Sequence, residues 1–224
     1  MSRQVITIDG PSGSGKSTVA KILSEKLGWA YLDSGAIYRV VAYYALENNI
    51  TLIDDIISSI PSIKISFDYH NNIYSVIMNN ENVSDKIRSE LVGEHASILA
   101  QDDNIRSALV SMQRNYKLDK NIITDGRDMG SRIFPNADLK IFLTASINER
   151  AARRFLELQN KGAKVDLNVI KSQLEARDNR DINRDSSPLV LSEDSIKVDT
   201  SEYSIDEVVE KVHKLWDNLA FLER

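Results

Sequence analysis

The chain has no cysteine, only three histidines and four prolines, and no run of eighteen apolar residues in its 224 positions. Without cysteine there is no disulfide framework. Without a long apolar run there is no candidate membrane-spanning helix. His70, His95 and His213 are scattered along the chain, so neither a zinc site nor a histidine phosphocarrier is expected. There is no internal repeat and no low-complexity tract. The first apolar strand starts at Val5, which leaves no room for a signal peptide, so a soluble cytoplasmic protein without a membrane partner is expected. The net charge of -5 argues against general nucleic-acid binding. Its distribution is uneven: residues 150–184 hold nine Lys/Arg against five Asp/Glu, a local +4, which leaves 19 against 28, or -9, for the remainder.

The run Gly10-Pro11-Ser12-Gly13-Ser14-Gly15-Lys16-Ser17-Thr18 fits the phosphate-binding pattern G-x-x-x-x-G-K-[ST]. Its context fits too. Val5-Ile6-Thr7-Ile8 reads as a buried strand before it, and Val19, Ile22, Leu23 and Leu27 recur at helical spacing after it, up to a stop at Gly28. Glycines at 10, 13 and 15 let successive backbone N–H groups converge on phosphate oxygens, Lys16 supplies a mobile cation, and Ser17 offers a hydroxyl to Mg²⁺. Residues 10–18 are therefore the expected seat of ATP, with Mg²⁺ beside it.

Short apolar segments at 5–8, 29–32, 122–124, 139–143 and 196–198 alternate with helical patterns, the signature of a parallel sheet covered by helices. Ser146 with Glu149 and Ser204 with Glu207 are capping boxes that open two helices. The second carries the stripe Ile205, Val208, Val209, Val212, Leu215, Trp216, Leu219. Around 62–83 the period changes: Ile63, Ile65 and Phe67 alternate, His70-Asn71-Asn72 signals a turn, and Tyr74, Val76 and Met78 alternate again. The expected architecture is α/β, a P-loop three-layer fold with a five-stranded parallel sheet. The whole chain, 1–224, forms one domain: a core of 1–60, 101–148 and 188–224, an antiparallel insertion at about 61–100, and an arginine-rich helical lid at about 149–187 with its loop tip at Asn160-Lys161-Gly162-Ala163-Lys164. No apolar patch stands outside the predicted core, so a monomer is expected.

A phosphate-gripping loop makes arginines elsewhere informative, because phosphoryl transfer needs positioning and positive charge more than covalent help. Arg39 and Arg127 follow predicted strands. Arg150, Arg153 and Arg154 share one helical face, and Arg177, Arg180 and Arg184 share another if their segment is helical up to Pro188. Glu149, Glu157, Asp178 and Asp181 are placed to pair with one or two of these arginines. Two segments at carboxyl ends of strands read as ligand loops, Asp33-Ser34-Gly35-Ala36-Ile37-Tyr38-Arg39 and Asp125-Gly126-Arg127-Asp128-Met129-Gly130. Asp125 reads equally as a carboxylate reaching Mg²⁺ through water and as a turn cap.

Taken with the segments Ile8-Asp9-Gly10 and Arg177-Asp178-Asn179-Arg180-Asp181-Ile182-Asn183-Arg184, these blocks resemble bacterial cytidylate kinases, and the resemblance spans essentially the whole chain. It implies transfer of the γ-phosphoryl group of MgATP to CMP and dCMP, in pyrimidine nucleotide salvage and recycling, with the insertion holding the nucleoside monophosphate. The family's cytosine ligands map to Ser34, Arg106, Asp128 and Arg184, its α-phosphate ligands to Arg39 and Arg127, and its sugar ligands to Ser97, Arg177 and Asp181. Lys16, Arg127, Arg150 and Arg154 are the expected catalytic cations. Rival readings are a P-loop kinase for another small acceptor, such as UMP, shikimate or gluconate, and a nucleotide-dependent switch, although no Asn-Lys-x-Asp block of a guanine-specific switch is present.

Overall fold

The computed structural model describes residues 3–70, 73–117, 119–160 and 162–222. In chain order the elements are β1 (Val5–Asp9), α1 (Lys16–Leu27), β2 (Ala30–Asp33), α2 (Ser34–Glu47), α3 (Ile53–Ser59), β3 (Ile65–His70), β4 (Ile73–Met78), β5 (Glu81–Asn82), α4 (Glu90–Leu99), α5 (Asp103–Asn115), β6 (Ile122–Gly126), β7 (Leu139–Thr144), α6 (Ile147–Asn160), α7 (Leu167–Asn183), β8 (Ile196–Asp199) and α8 (Ile205–Leu222). Asn71 and Asn72 of the expected hairpin turn, and Lys161 of the expected lid loop, lie outside the described residues.

All five expected core strands are present, in the order β2-β6-β1-β7-β8. Strand β1 runs parallel to both neighbours, with Ile6 opposite Ile123 on one side and Leu139 on the other. Both β1 and β6 are buried along their whole length, which explains why they read as continuous apolar runs rather than alternating ones. The chain divides into two compact units, residues 1–31 with 119–224, and residues 32–118.

In the first unit, α1 buries Val19, Ala20 and Leu23 and packs on β6 and α8. Each such side chain, fully removed from water, contributes about 1.5–3 kcal/mol when it is as large as Val or Leu. Gly28 ends the helix in the left-handed region, φ 65°, and Trp29 N–H donates back to Ser24 O at 2.9 Å. The turn sets Trp29 edge-on against Trp216 of α8, centroids 5.0 Å apart. Helix α8 opens on the full expected capping box: Glu207 N–H donates to Ser204 Oγ at 3.3 Å and Ser204 N–H to Glu207 Oε2 at 2.8 Å. At α6 only half the box forms. Glu149 N–H donates to Ser146 Oγ at 3.2 Å, but the Glu149 carboxylate is taken by Arg153. Helices α6 and α7 pack through Ala151, Ile170 and Leu174, with Ile147, Phe155, Leu158 and Val165 around them.

The second unit contains the expected hairpin, β3 against β4 with Phe67 opposite Val76, plus a short third strand, β5, that the sequence pattern does not announce. Tyr74, Val76 and Met78 are buried on one face. Helix α2 packs on α4, and α3 on α5. Two segments expected as loops are more regular. Asp33 caps α2 by accepting from Ala36 N–H at 2.9 Å, so residues 34–39 are helical. Residues Met129–Ile133 form a π-helical turn directly after Asp128. Among the described residues no helix is long and apolar enough to cross a membrane.

Candidate active site

The phosphate-binding loop spans the gap between β1 and α1. Gly13 and Gly15 hold φ of 78° and 89°, which side chains rarely adopt. At Gly10 space decides, since a Cβ there would lie 2.1 Å from Leu143 O. Lys16 is buried and its Nζ donates to Pro11 O at 3.2 Å. Burial pulls its ammonium down to about 7; Arg127 pushes the same way and Asp125 opposes both. Ser17 Oγ donates to Asp125 Oδ2 at 2.7 Å, and Asp125 also accepts from Tyr31 Oη. Ser14 Oγ is buried without a hydrogen-bond partner. A curled glycine backbone, a buried cation, an orphaned hydroxyl and a hydroxyl–carboxylate pair fit a Mg²⁺-bound triphosphate.

The same unit brings together five residues expected at the acceptor. Arg127 Nε donates to Asp181 Oδ2 at 2.7 Å, and both side chains are largely buried. Burial works to raise the Asp181 carboxyl, but Arg127, Arg177 and Arg184 outweigh it and hold that group below the usual carboxylate range. Arg177, Asp181 and Arg184 stand at helical spacing on and just beyond α7. Arg184 Nη2 lies 4.0 Å from Asp128 Oδ1, with both side chains under 5 % exposed.

The arginines of α6 diverge although the sequence puts them on one face. Arg150 is buried, donating from Nε to Ala145 O and from Nη1 to Ser12 O, each at 3.0 Å, and to Asp178 Oδ2 at 2.5 Å. Arg153 pairs with Glu149 and donates to Thr200 O at 2.6 Å. Arg154 turns to Glu157 at 2.8 Å, with 30 % of its side chain exposed. The four carboxylates expected to occupy one or two arginines pair with four: Asp181 with Arg127, Asp178 with Arg150, Glu149 with Arg153 and Glu157 with Arg154.

The remaining expected acceptor ligands belong to residues 32–118. Ser34, buried at the start of α2, donates from Oγ to Gln113 Oε1 at 2.8 Å. Arg39, also on α2, donates to Ile87 O at 2.8 Å and lies over Gly93 of α4. Ser97 is buried on α4 with no partner for its Oγ. Arg106 is 2 % exposed, donates to Ala100 O at 3.1 Å and stacks over the Tyr38 ring at 5.6 Å. Sequence reasoning passed over Asp9, Gly93 and Gln113, whose partners are distant in sequence and carry no local signal.

Residues 6–218 match the family described as cytidylate kinase. The cytidylate kinase of Listeria innocua serovar 6a is 46 % identical over 212 residues, 94 % of either chain. That of Proteus mirabilis (strain HI4320) is 46 % identical over 209 residues, 92 % of this chain and 93 % of its own. That of Dichelobacter nodosus (strain VCS1703A) is 42 % identical over 216 residues, 96 % of each. A solved gluconokinase from Sinorhizobium meliloti 1021 aligns over 99 % of this chain and 98 % of its own, at 17 % identity and a TM-score of 0.47. With a family match over nearly its full length and relatives this similar, the chain belongs to the cytidylate kinase family.

Proposed function

We propose that this protein transfers the γ-phosphoryl group of MgATP to CMP, and to dCMP, giving ADP and CDP or dCDP in pyrimidine nucleotide salvage and recycling. The observation that carries the acceptor is Asp128, a buried carboxylate 4.0 Å from the Arg184 guanidinium, in a chain of this family. A carboxylate accepts from the exocyclic amine of cytosine, whereas uracil would set a carbonyl oxygen against it and leave both unpaired. Arg184 and, from residues 32–118, Ser34 and Arg106 serve the base; Arg39 and Arg127 serve the α-phosphate; Ser97, Arg177 and Asp181 serve the sugar.

No general base is needed, because the acceptor phosphate is already anionic near neutral pH. An oxygen of that phosphate bonds to the γ-phosphorus as the bond to the β-phosphate oxygen breaks, and the electron pair leaves with ADP. Lys16, Arg127, Arg150 and Arg154 neutralise the charge on the two polyanions and align them. The partly exposed pair of Arg154 with Glu157 is of the kind worth little in water, so exchanging Glu157 for a phosphoryl oxygen costs little. Ser17, with Asp125 beside it, would hold the Mg²⁺ of MgATP, which would supply further neutralisation of phosphate charge. Closure of residues 149–187 excludes water. Reaction on soluble nucleotides suits a cytoplasmic monomer.

Steady-state assays with MgATP and each nucleoside monophosphate test the reading. CMP and dCMP should be turned over well above UMP, AMP and GMP, ATP should be nearly inert without an acceptor, and Asp128→Asn should remove most of the preference for CMP over UMP. An unchanged ratio of kcat/KM in Asp128→Asn would sink the base assignment. Rapid ATP hydrolysis without acceptor would favour the nucleotide switch.

A further inference from the structure

Asp9 is the last residue of β1, directly before the phosphate-binding loop, and has no role in the reading above. Its side chain is buried, and both carboxylate oxygens are committed to backbone 120 positions away: Oδ1 accepts from Met129 N–H at 2.9 Å and Oδ2 from Gly130 N–H at 2.8 Å. Those two residues open the π-helical turn that starts immediately after Asp128. The turn closes on Asp128 itself, whose carbonyl accepts from Arg132 N–H at 2.9 Å and Ile133 N–H at 3.1 Å. Its far side is equally confined, since a Cβ on Gly130 would sit 2.9 Å from Thr7 Oγ1 and 3.2 Å from Lys140 Cδ. Asp128 is therefore fastened through the peptide that follows it.

We propose that Asp9 is a positioning residue for acceptor choice: by clamping the Met129 and Gly130 N–H groups it fixes where the Asp128 carboxylate stands. The inference rests on the reading of Asp128 as the group that recognises cytosine. The clamp needs a carboxylate. Asparagine offers one acceptor oxygen and sets an N–H₂ against the second backbone N–H, leaving a buried donor unpaired. The protein keeps this carboxylate at a cost, because burial raises its carboxyl to about 6 and the nearby charge of Asp128 acts in the same direction. The Gly130 and Met129 N–H groups pull it back down, so the clamp itself favours the charged form.

The test compares Asp9→Asn and Asp128→Asn in steady-state kinetics with CMP and UMP at saturating MgATP. Asp9→Asn should lower kcat/KM for CMP roughly tenfold or more, mainly through KM for CMP, reduce the CMP-over-UMP ratio several-fold, and leave KM for ATP within about twofold. Gly130→Ala, which displaces the same turn from its other side without touching the carboxylate, should reduce that ratio too, and it serves in place of Asp9→Asn should the latter not fold. If Asp128→Asn collapses the ratio while Asp9→Asn and Gly130→Ala leave it unchanged, or if their loss falls equally on ATP, the positioning role is overturned and the base assignment stands. If Asp128→Asn itself leaves the ratio unchanged, the base assignment falls and the inference falls with it.

Discussion

Replacing Arg150 and Asp178, singly and together, separates bracing from catalysis at the phosphate-binding loop. The Arg150 guanidinium ties α6 to three acceptors: Ala145 O, the loop carbonyl of Ser12, and Asp178 of α7 at 2.5 Å. The two side chains are 8 % and 13 % exposed, and Asp178 Oδ1 has no hydrogen-bond partner. Losing Arg150 thus leaves a buried carboxylate with nothing to hold. Removing one member of a buried pair costs about 3–5 kcal/mol, whereas replacing both with apolar groups of similar volume is often close to neutral.

Arg150→Met and Asp178→Leu should therefore each cost about 3–5 kcal/mol, lowering the melting midpoint by roughly 6–20 °C at the 2–4 °C per kcal/mol usual for chains of this length. Additivity would give about 6–10 kcal/mol for the double variant. We expect about 1–3 kcal/mol instead, the residue being the unpaired Ser12 and Ala145 carbonyls. Urea unfolding of the nucleotide-free protein measures all four corners of the cycle. Single costs below about 1 kcal/mol, or additive costs, would refute the buried-pair argument. Activity gives the second half. If Arg150 also neutralises the moving phosphoryl group, kcat of the refolded double variant stays about a hundredfold down, the scale of one lost oxyanion donor. Recovery of kcat along with stability would make Arg150 a brace only.

Gly93→Ala tests Arg39. The new Cβ would lie 2.8 Å from Arg39 Nη2 and 3.0 Å from Nη1, so the guanidinium must move. KM for CMP should rise roughly tenfold, about 1.4 kcal/mol of lost phosphate contact, with KM for ATP unchanged, and an unaltered KM for CMP would contradict the role of Arg39. Lys16 sets a pH dependence: burial holds its ammonium at about 7, so the free protein carries that charge below pH 7 and loses it above. Bound triphosphate favours the charged form, so kcat/KM for ATP should fall above pH 7 while kcat holds; a kcat/KM profile flat to pH 9 would refute it.

What the sequence made legible is what neighbours in sequence determine. The phosphate-binding loop, the buried strands and the Ser204–Glu207 box each rest on residues a few positions apart, and each is found. The start of α2 is readable in principle from Asp33 and its bond to Ala36 N–H, but a segment at the carboxyl end of a strand in a parallel sheet reads equally as a ligand loop. The α6 arginines mark the boundary. Helical period puts Arg150, Arg153 and Arg154 on one face, yet one is buried on Asp178, one lies against Thr200 and one turns to Glu157. Period fixes the direction in which a side chain leaves its helix, but the acceptors at Ser12, Asp178 and Thr200 come from other elements. The same holds for Asp9, which stands beside Gly10 in sequence while its carboxylate faces a turn 120 residues away. A charge is visible in sequence; its partner, and therefore its function, is set by the fold.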